Sequence, residues 1–136
     1  MSTESEPVSD MRAVIQMRLL AVAAIIEFGT GLALMAIPGI VTTLLVGVEV
    51  AGVGRAVARC FGVALVALGI ACWLGQRPAV SGSPAFRAML TYNALLALYL
   101  TDLGALEHVQ GLLLWPAAII HAAMALALIW SSGSKR

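Results

Sequence analysis

Apolar residues along this chain gather into four blocks that short polar stretches separate. Each block is close to the ~20 residues that a helix needs to cross a hydrocarbon core of about 30 Å. An open sheet would leave backbone groups unsatisfied in lipid, and the alternation typical of a transmembrane barrel is absent. The pattern therefore predicts an all-α, up-and-down four-helix transmembrane bundle. Its four spans are Leu19–Pro38, Ala56–Gly75, Ala85–Leu106 and Gly111–Trp130.

The polar segments define the domain organisation. Residues 1–11 are acidic and polar, which predicts a disordered segment. Three acidic residues precede the first apolar block, where a signal peptide would have a basic region, so we expect the first span to be retained. Residues 12–131 then form a single membrane domain, and residues 132–136 form a polar tail.

The connections between the spans differ in character. Gly39–Arg55 is half apolar and is expected to contain a short interfacial helix. Gln76–Pro84 is rich in proline, serine and glycine, which predicts a turn. Glu107–Gln110 predicts a very tight turn. The third span is the weakest of the four, because Asn93 and Asp102 interrupt its apolar run.

Composition supports the membrane interpretation. Of the 136 residues, 61% are hydrophobic and 11% are charged, and the mean hydropathy is +0.98. A soluble domain has roughly 45–50% apolar and about 25% charged residues, so the charged shell of a water-soluble fold is missing. The net charge of +1 provides no electrostatic basis for binding nucleic acid. The length allows one domain.

The distribution of basic residues predicts the orientation. In a four-span weave, six of the eight basic residues fall on one side of the membrane. Because basic residues favour the cytoplasmic side, both termini are expected in the cytoplasm and the protein in the bacterial cytoplasmic membrane. The six residues are Arg12, Arg18, Arg77, Arg87, Lys135 and Arg136.

A candidate buried polar site consists of Glu27, His121 and Asn93. Ionisable residues at hydrocarbon depth are rare and are usually partnered or functional. Glu27 lies nine residues into the first span and His121 nine residues from the end of the fourth, so both are about 13–14 Å from the cytoplasmic interface. Small side chains surround both residues and allow close helix approach. Asn93 lies slightly lower and is able to join them.

A second candidate is an ion pair between Arg59 and Asp102 on the outer side. Arg59 enters with the second span and Asp102 lies near the outer end of the third, so the two are at similar depth. Gly62 and Gly69 share a helix face with Arg59 and predict a tight helix contact there.

Motifs of known catalytic sites are absent from the sequence. It contains no HExxH, no paired His/Cys metal cluster, no nucleophile elbow and no glycine-rich phosphate loop. Cys60 and Cys72 are twelve residues apart on one predicted helix, too far to form a disulfide, and are interpreted as small buried residues. No catalytic or metal-binding residue is assigned, the cofactor is unknown, and an enzyme is the less favoured interpretation.

The layout resembles that of DoxX-like bacterial membrane proteins and other small four-span families. The resemblance covers most of the chain and rests on its four spans, on the glycines of Glu27-Phe28-Gly29-Thr30-Gly31, and on Gly62 and Gly69 after Arg59. It implies a small cytoplasmic-membrane protein, in some cases linked to quinone-dependent redox chains.

Three functions therefore remain open from the sequence. The first is an accessory or interaction protein of the membrane, with the lipid bilayer around it and a membrane protein or a second copy bound through small-residue helix faces. The second is a proton-linked or small-solute transport element that uses Glu27 and His121. The third is a quinone-linked redox subunit. In the first, Glu27 and His121 form a structural hydrogen bond that sets the helix register.

Overall fold

The protein is all-α in the computed structural model, which describes residues 6–75 and 83–132. This part of the chain contains helices and no strand, as the apolar pattern predicts. Residues 1–5, residues 76–82 of the predicted turn, and residues 133–136 of the tail lie outside it. The helices are α1 (Glu6–Ala36), α2 (Pro38–Val46), α3 (Val53–Leu74), α4 (Pro84–Ala105) and α5 (Leu114–Ser132).

Three of the described helices are long and apolar enough to cross a membrane. They are Met11–Ala36 within α1, α3 and α5. Helix α4 has 22 residues, as many as α3, but it does not meet the same condition. Polar side chains, including Asn93 and Asp102, lower its hydropathy. The prediction of a membrane protein with apolar helices is confirmed, whereas the prediction of four such spans is confirmed for three.

A proline separates the first long helix from the short one. The residue before a proline is disfavoured in helical conformation, and Ile37 has a φ of −132°, so α1 ends at Ala36. Pro38 occupies the beginning of α2, where its missing N–H costs no hydrogen bond. The short helix predicted between the first two spans is therefore present. It ends at Gly47, whose φ of 81° is readily adopted only without a side chain.

Helix α1 begins earlier than the sequence pattern indicated. It already includes Glu6–Asp10, the second half of the segment expected to be disordered. At the start of α4, Ser83 accepts a hydrogen bond from the backbone N–H of Phe86 at 3.2 Å and thereby caps the helix.

The helices form two antiparallel pairs. Helix α1 packs most extensively on α3, and α4 packs most extensively on α5. The pairs meet mainly where α1 lies antiparallel to α5, while α3 and α4 touch only slightly. One contact between α3 and α4 joins the Cys72 thiol to the Ala85 carbonyl at 3.6 Å. The order of neighbours is therefore α3, α1, α5, α4, with a weakly packed side between α3 and α4.

Glycines allow the close contact between α1 and α3. A Cβ atom added to Gly62 would lie 2.7 Å from the Gly31 carbonyl oxygen, and one added to Gly69 would lie 2.8 Å from the Ala24 carbonyl oxygen. Real Cβ atoms essentially never approach so closely. The small-residue face predicted on the second span is therefore used inside the chain, against the first span.

Helix α2 packs against the connection between α4 and α5. The backbone N–H of Leu113 donates to the Leu44 carbonyl at 2.7 Å. The connection extends from Leu106 to Leu113 and is longer than the tight turn predicted at Glu107–Gln110. Within it His108 has a φ of 55°, in the left-handed region. A second small core lies next to this connection, formed by Leu100, Leu103, Leu114 and Ala118.

Candidate functional site

Glu27 lies on the face of α1 that is directed into the bundle. Gln16, Leu20, Ala23 and Glu27 are spaced by four, three and four residues, which places them on one side of a helix. All four are buried, and Glu27 is 2% exposed. A carboxyl group therefore lies among apolar side chains at the contact between α1 and α5.

Asn93 and His121 join α4 to α5 at the same level. The amide Nδ2 of Asn93 donates to the Met89 carbonyl, one helical turn earlier, at 2.9 Å. This bond directs the amide oxygen toward His121, whose Nδ1 atom lies 2.9 Å from it. The amide oxygen accepts hydrogen bonds only, so the imidazole donates from Nδ1, and a neutral ring then leaves Nε2 as an acceptor.

Glu27 completes the group without a direct hydrogen bond to the imidazole. Its Oε1 atom lies 3.9 Å from Nδ1 of His121, beyond hydrogen-bond distance. Tyr92 lies between these elements, because its hydroxyl is within hydrogen-bonding reach of the Glu27 carboxyl. The Tyr92 ring also packs edge-on against His121, with ring centroids 5.7 Å apart.

The structure thus brings together the three residues selected from the sequence, Glu27, Asn93 and His121. It adds Tyr92, which we interpreted from the sequence as a packing residue. We refer to these four residues as the polar cluster. It links three helices through side chains whose polar atoms all lie inside the bundle.

The polar cluster is closely enclosed. Apolar side chains of α1 and α5 line the small space beside it, including Ala23, Ile26, Ile120 and Met124, and this space is too small to hold a water molecule. No buried side-chain nitrogen or oxygen in the described part of the chain lacks a hydrogen-bond partner. The conformation therefore has no room at the cluster for a substrate.

A further buried polar contact escaped the sequence reasoning. The Gln16 amide donates from Nε2 to the Ser131 carbonyl at 2.8 Å and so joins α1 to α5 near their other ends. The signal was available, because Gln16 lies eleven residues before Glu27, three turns of the same helix face. We had assigned Gln16 to the boundary of the first span rather than to its buried face.

The predicted ion pair between Arg59 and Asp102 is wrong for this structure. Among the described residues, the ion pairs are those of Arg55 with Glu49 and His121 with Glu27. Arg59 donates instead to the Met35 carbonyl on α1, at 3.2 Å. The physical reason is helix order: α3 lies beside α1 and barely contacts α4, so similar depth does not bring Arg59 and Asp102 together.

The two cysteines have different surroundings. Cys72 is buried, as we expected, but Cys60 is exposed, which corrects the expectation for that residue. Both are free thiols. Within residues 6–75 and 83–132, no group of three histidine, cysteine or acidic side chains is placed to bind a metal ion.

Comparisons with known proteins identify no relative. No family model, no curated protein and no solved structure matches the chain.

Proposed function

We propose that the chain is a four-span protein of the bacterial cytoplasmic membrane, with both termini in the cytoplasm, and that it acts there as a small accessory or interaction protein. The observation that carries this proposal is the contrast between an enclosed polar cluster and an apolar exterior. Large apolar side chains are exposed on the long helices, for example Leu74, Leu98 and Leu126, at 70%, 70% and 66%. Such an exterior suits contact with lipid or with another membrane protein.

The position of its polar residues supports α4 as the fourth span. Asn93 is 1% exposed and lies inside the bundle, where intramembrane polar groups are normally found. Arg87 and Asp102 each lie three residues from an end of α4, where long or charged side chains reach the interface. Helix α4 is also antiparallel to α5, as a neighbouring span would be.

The small-residue faces contribute to the choice of partner surface. Gly31, Gly62 and Gly69 are occupied within the chain by the contact between α1 and α3. A protein partner or a second copy would therefore bind through other faces, such as those that carry Leu98 or Leu126. This supports an interaction built on larger apolar side chains rather than on glycine contacts.

A second candidate function is a proton-linked transport element. It is favoured by one observation, the approach of two titratable side chains, Glu27 and His121, to 3.9 Å inside the bundle. A carboxyl and an imidazole at this distance can exchange a proton after a small side-chain movement. The enclosure of the cluster favours the first candidate, because transport requires a path for water or for the proton on both sides.

Reconstitution distinguishes these two candidates. The purified full chain is inserted into vesicles that contain a pH-sensitive dye, and a potassium diffusion potential is applied. An accessory protein leaves the proton flux at the level of protein-free vesicles. A flux that depends on the protein and disappears in both Glu27→Gln and His121→Asn would establish the second candidate and overturn the first.

A further inference from the structure

A separate charged pocket lies where α1 ends and α3 begins. It has a volume of about 460 Å³ and is lined by the last residues of α1, the beginning of α2 and the first turns of α3. Three charged side chains, Glu49, Arg55 and Arg59, form its polar part. None of them belongs to the polar cluster, so this pocket is independent of the function proposed above.

Arg59 is anchored but retains most of its donors. Its Nε atom donates to the Met35 carbonyl, one of the last carbonyls of α1, which have no partner within their own helix. A guanidinium group has five N–H donors in a planar fork. The described residues provide no other hydrogen bond or ion pair to Arg59, so the terminal nitrogens remain available to a ligand.

The charges in the pocket do not cancel. Arg55 and Glu49 form an ion pair through Nη2 and Oε1, so the one carboxylate is already engaged. Two guanidinium groups and one carboxylate leave a net charge of +1. The complementary ligand therefore carries one negative charge, and a ligand ammonium group would find no free carboxylate.

The remaining wall of the pocket is apolar. Ile37, Ile40 and Leu44 form it. Ala36, which also lines the pocket, is the last residue of one candidate membrane span, and Arg55 lies two residues after the start of another. The pocket is thus at the end of two spans, at headgroup depth, whichever side of the membrane it faces.

We propose that this pocket binds the phosphodiester group of an anionic glycerophospholipid, with Arg59 as the principal contact and the apolar wall against the upper part of the acyl chains. Guanidinium groups bind phosphate oxygens through paired, charge-assisted hydrogen bonds. The single negative charge of phosphatidylglycerol matches the pocket. Zwitterionic phosphatidylethanolamine would bring an unpaired ammonium group toward two arginines.

Native mass spectrometry of the purified full chain in mild detergent tests this proposal. Dioleoyl phosphatidylglycerol and dioleoyl phosphatidylethanolamine are added in equal amounts. We expect the first lipid to be retained roughly tenfold more than the second, a difference of one decade in affinity. Equal retention of the two lipids by the wild-type protein would overturn the proposal without any variant.

Three substitutions locate the binding. Arg59→Gln should remove most of the preference for phosphatidylglycerol, whereas Arg87→Gln, an exposed arginine on α4, should leave it unchanged. Glu49→Gln removes the internal counter-charge and should raise the affinity severalfold; it remains decisive if Arg59→Gln fails to fold. A preference that persists in Arg59→Gln, or that falls in Glu49→Gln, would contradict the assignment.

A competition experiment separates a lipid from a soluble phosphate. Excess inorganic phosphate or glycerol 3-phosphate should not displace bound phosphatidylglycerol, because neither ligand uses the apolar wall. Displacement at comparable concentrations would show that the pocket recognises a soluble phosphate, and it would overturn the lipid assignment.

Discussion

Asn93 and His121 are joined by a hydrogen bond of 2.9 Å between the amide Oδ1 and the imidazole Nδ1. The bond connects α4 to α5 deep in the bundle. Its direction follows from the second bond of the same amide, from Nδ2 to the Met89 carbonyl. The polar helix α4 is thus attached to the apolar helix α5 by a bond whose donor and acceptor are both defined.

Substitution of Asn93 should destabilise the protein more than its size suggests. Asn93→Leu leaves the Nδ1–H of His121 without its acceptor inside the bundle, and an unsatisfied buried group costs about 1–3 kcal/mol. Thermal unfolding in detergent measures the loss. The matched control is Thr101→Val on the same helix, because the Thr101 hydroxyl bonds only to its own helix, at the Ala97 carbonyl; its effect should stay within about 0.5 kcal/mol.

A double-substitution cycle measures the coupling between Asn93 and His121. The variants are Asn93→Leu, His121→Leu and the two combined, and we expect a coupling of about 0.6–1.7 kcal/mol, the range for hydrogen bonds between membrane helices. Strictly additive losses would show that the two side chains do not interact in the folded protein.

Glu27→Gln should preserve the fold. The amide has the same shape as the carboxyl group and can still accept a hydrogen bond from the Tyr92 hydroxyl, so we expect a loss of less than about 1 kcal/mol. Thermal stability in detergent measures this, with the exposed Glu107→Gln as the control for removal of one carboxylate. A folded Glu27→Gln protein that retains its physiological role would support a structural cluster, and one that loses the role would favour proton handling.

Two glycines of similar sequence context should differ sharply in their tolerance of alanine. Gly62→Ala places a methyl group against the backbone of α1, and overpacking of this kind costs about 1–3 kcal/mol. Gly29→Ala is the matched control, because a Cβ atom there meets nothing within 4 Å. Equal unfolding temperatures for the two variants would contradict the close contact between α1 and α3.

Arg59 and Asp102 should be energetically independent. They belong to helices that barely touch, and effects of distant residues add within about 0.3–0.5 kcal/mol. Unfolding of Arg59→Gln, Asp102→Asn and the double variant measures this. A coupling above about 1 kcal/mol would restore the ion pair that the sequence suggested and would require α3 and α4 to approach each other in the membrane.

The orientation is testable with single cysteines in a background without Cys60 and Cys72. A cysteine at Glu107 or Gln110 should react with an impermeant maleimide added to intact cells, whereas one at Ser81 should react only after permeabilisation. The reason is the distribution of basic residues, six of eight on one side. Labelling at Ser81 alone would invert the topology.

Local physical chemistry made the helices readable from the sequence. Runs of apolar residues can satisfy their backbone in lipid only as helices, and Pro38 ends one helix and begins the next for steric reasons that involve only adjacent residues. The depth of Glu27, Asn93 and His121 also follows from residue counts along each helix. These properties depend on one segment at a time.

Contacts between segments were decided by the tertiary structure. Depth placed Arg59 level with Asp102, but the order of helices gave Arg59 the Met35 carbonyl instead. In the same way Gly62 and Gly69 predicted a close contact without identifying α1 as the neighbour, and Gln16 showed no sign of its bond to Ser131. A side chain's depth is a property of its own helix, whereas its partner depends on how whole helix surfaces fit together. That fit is set by packing over many residues at once.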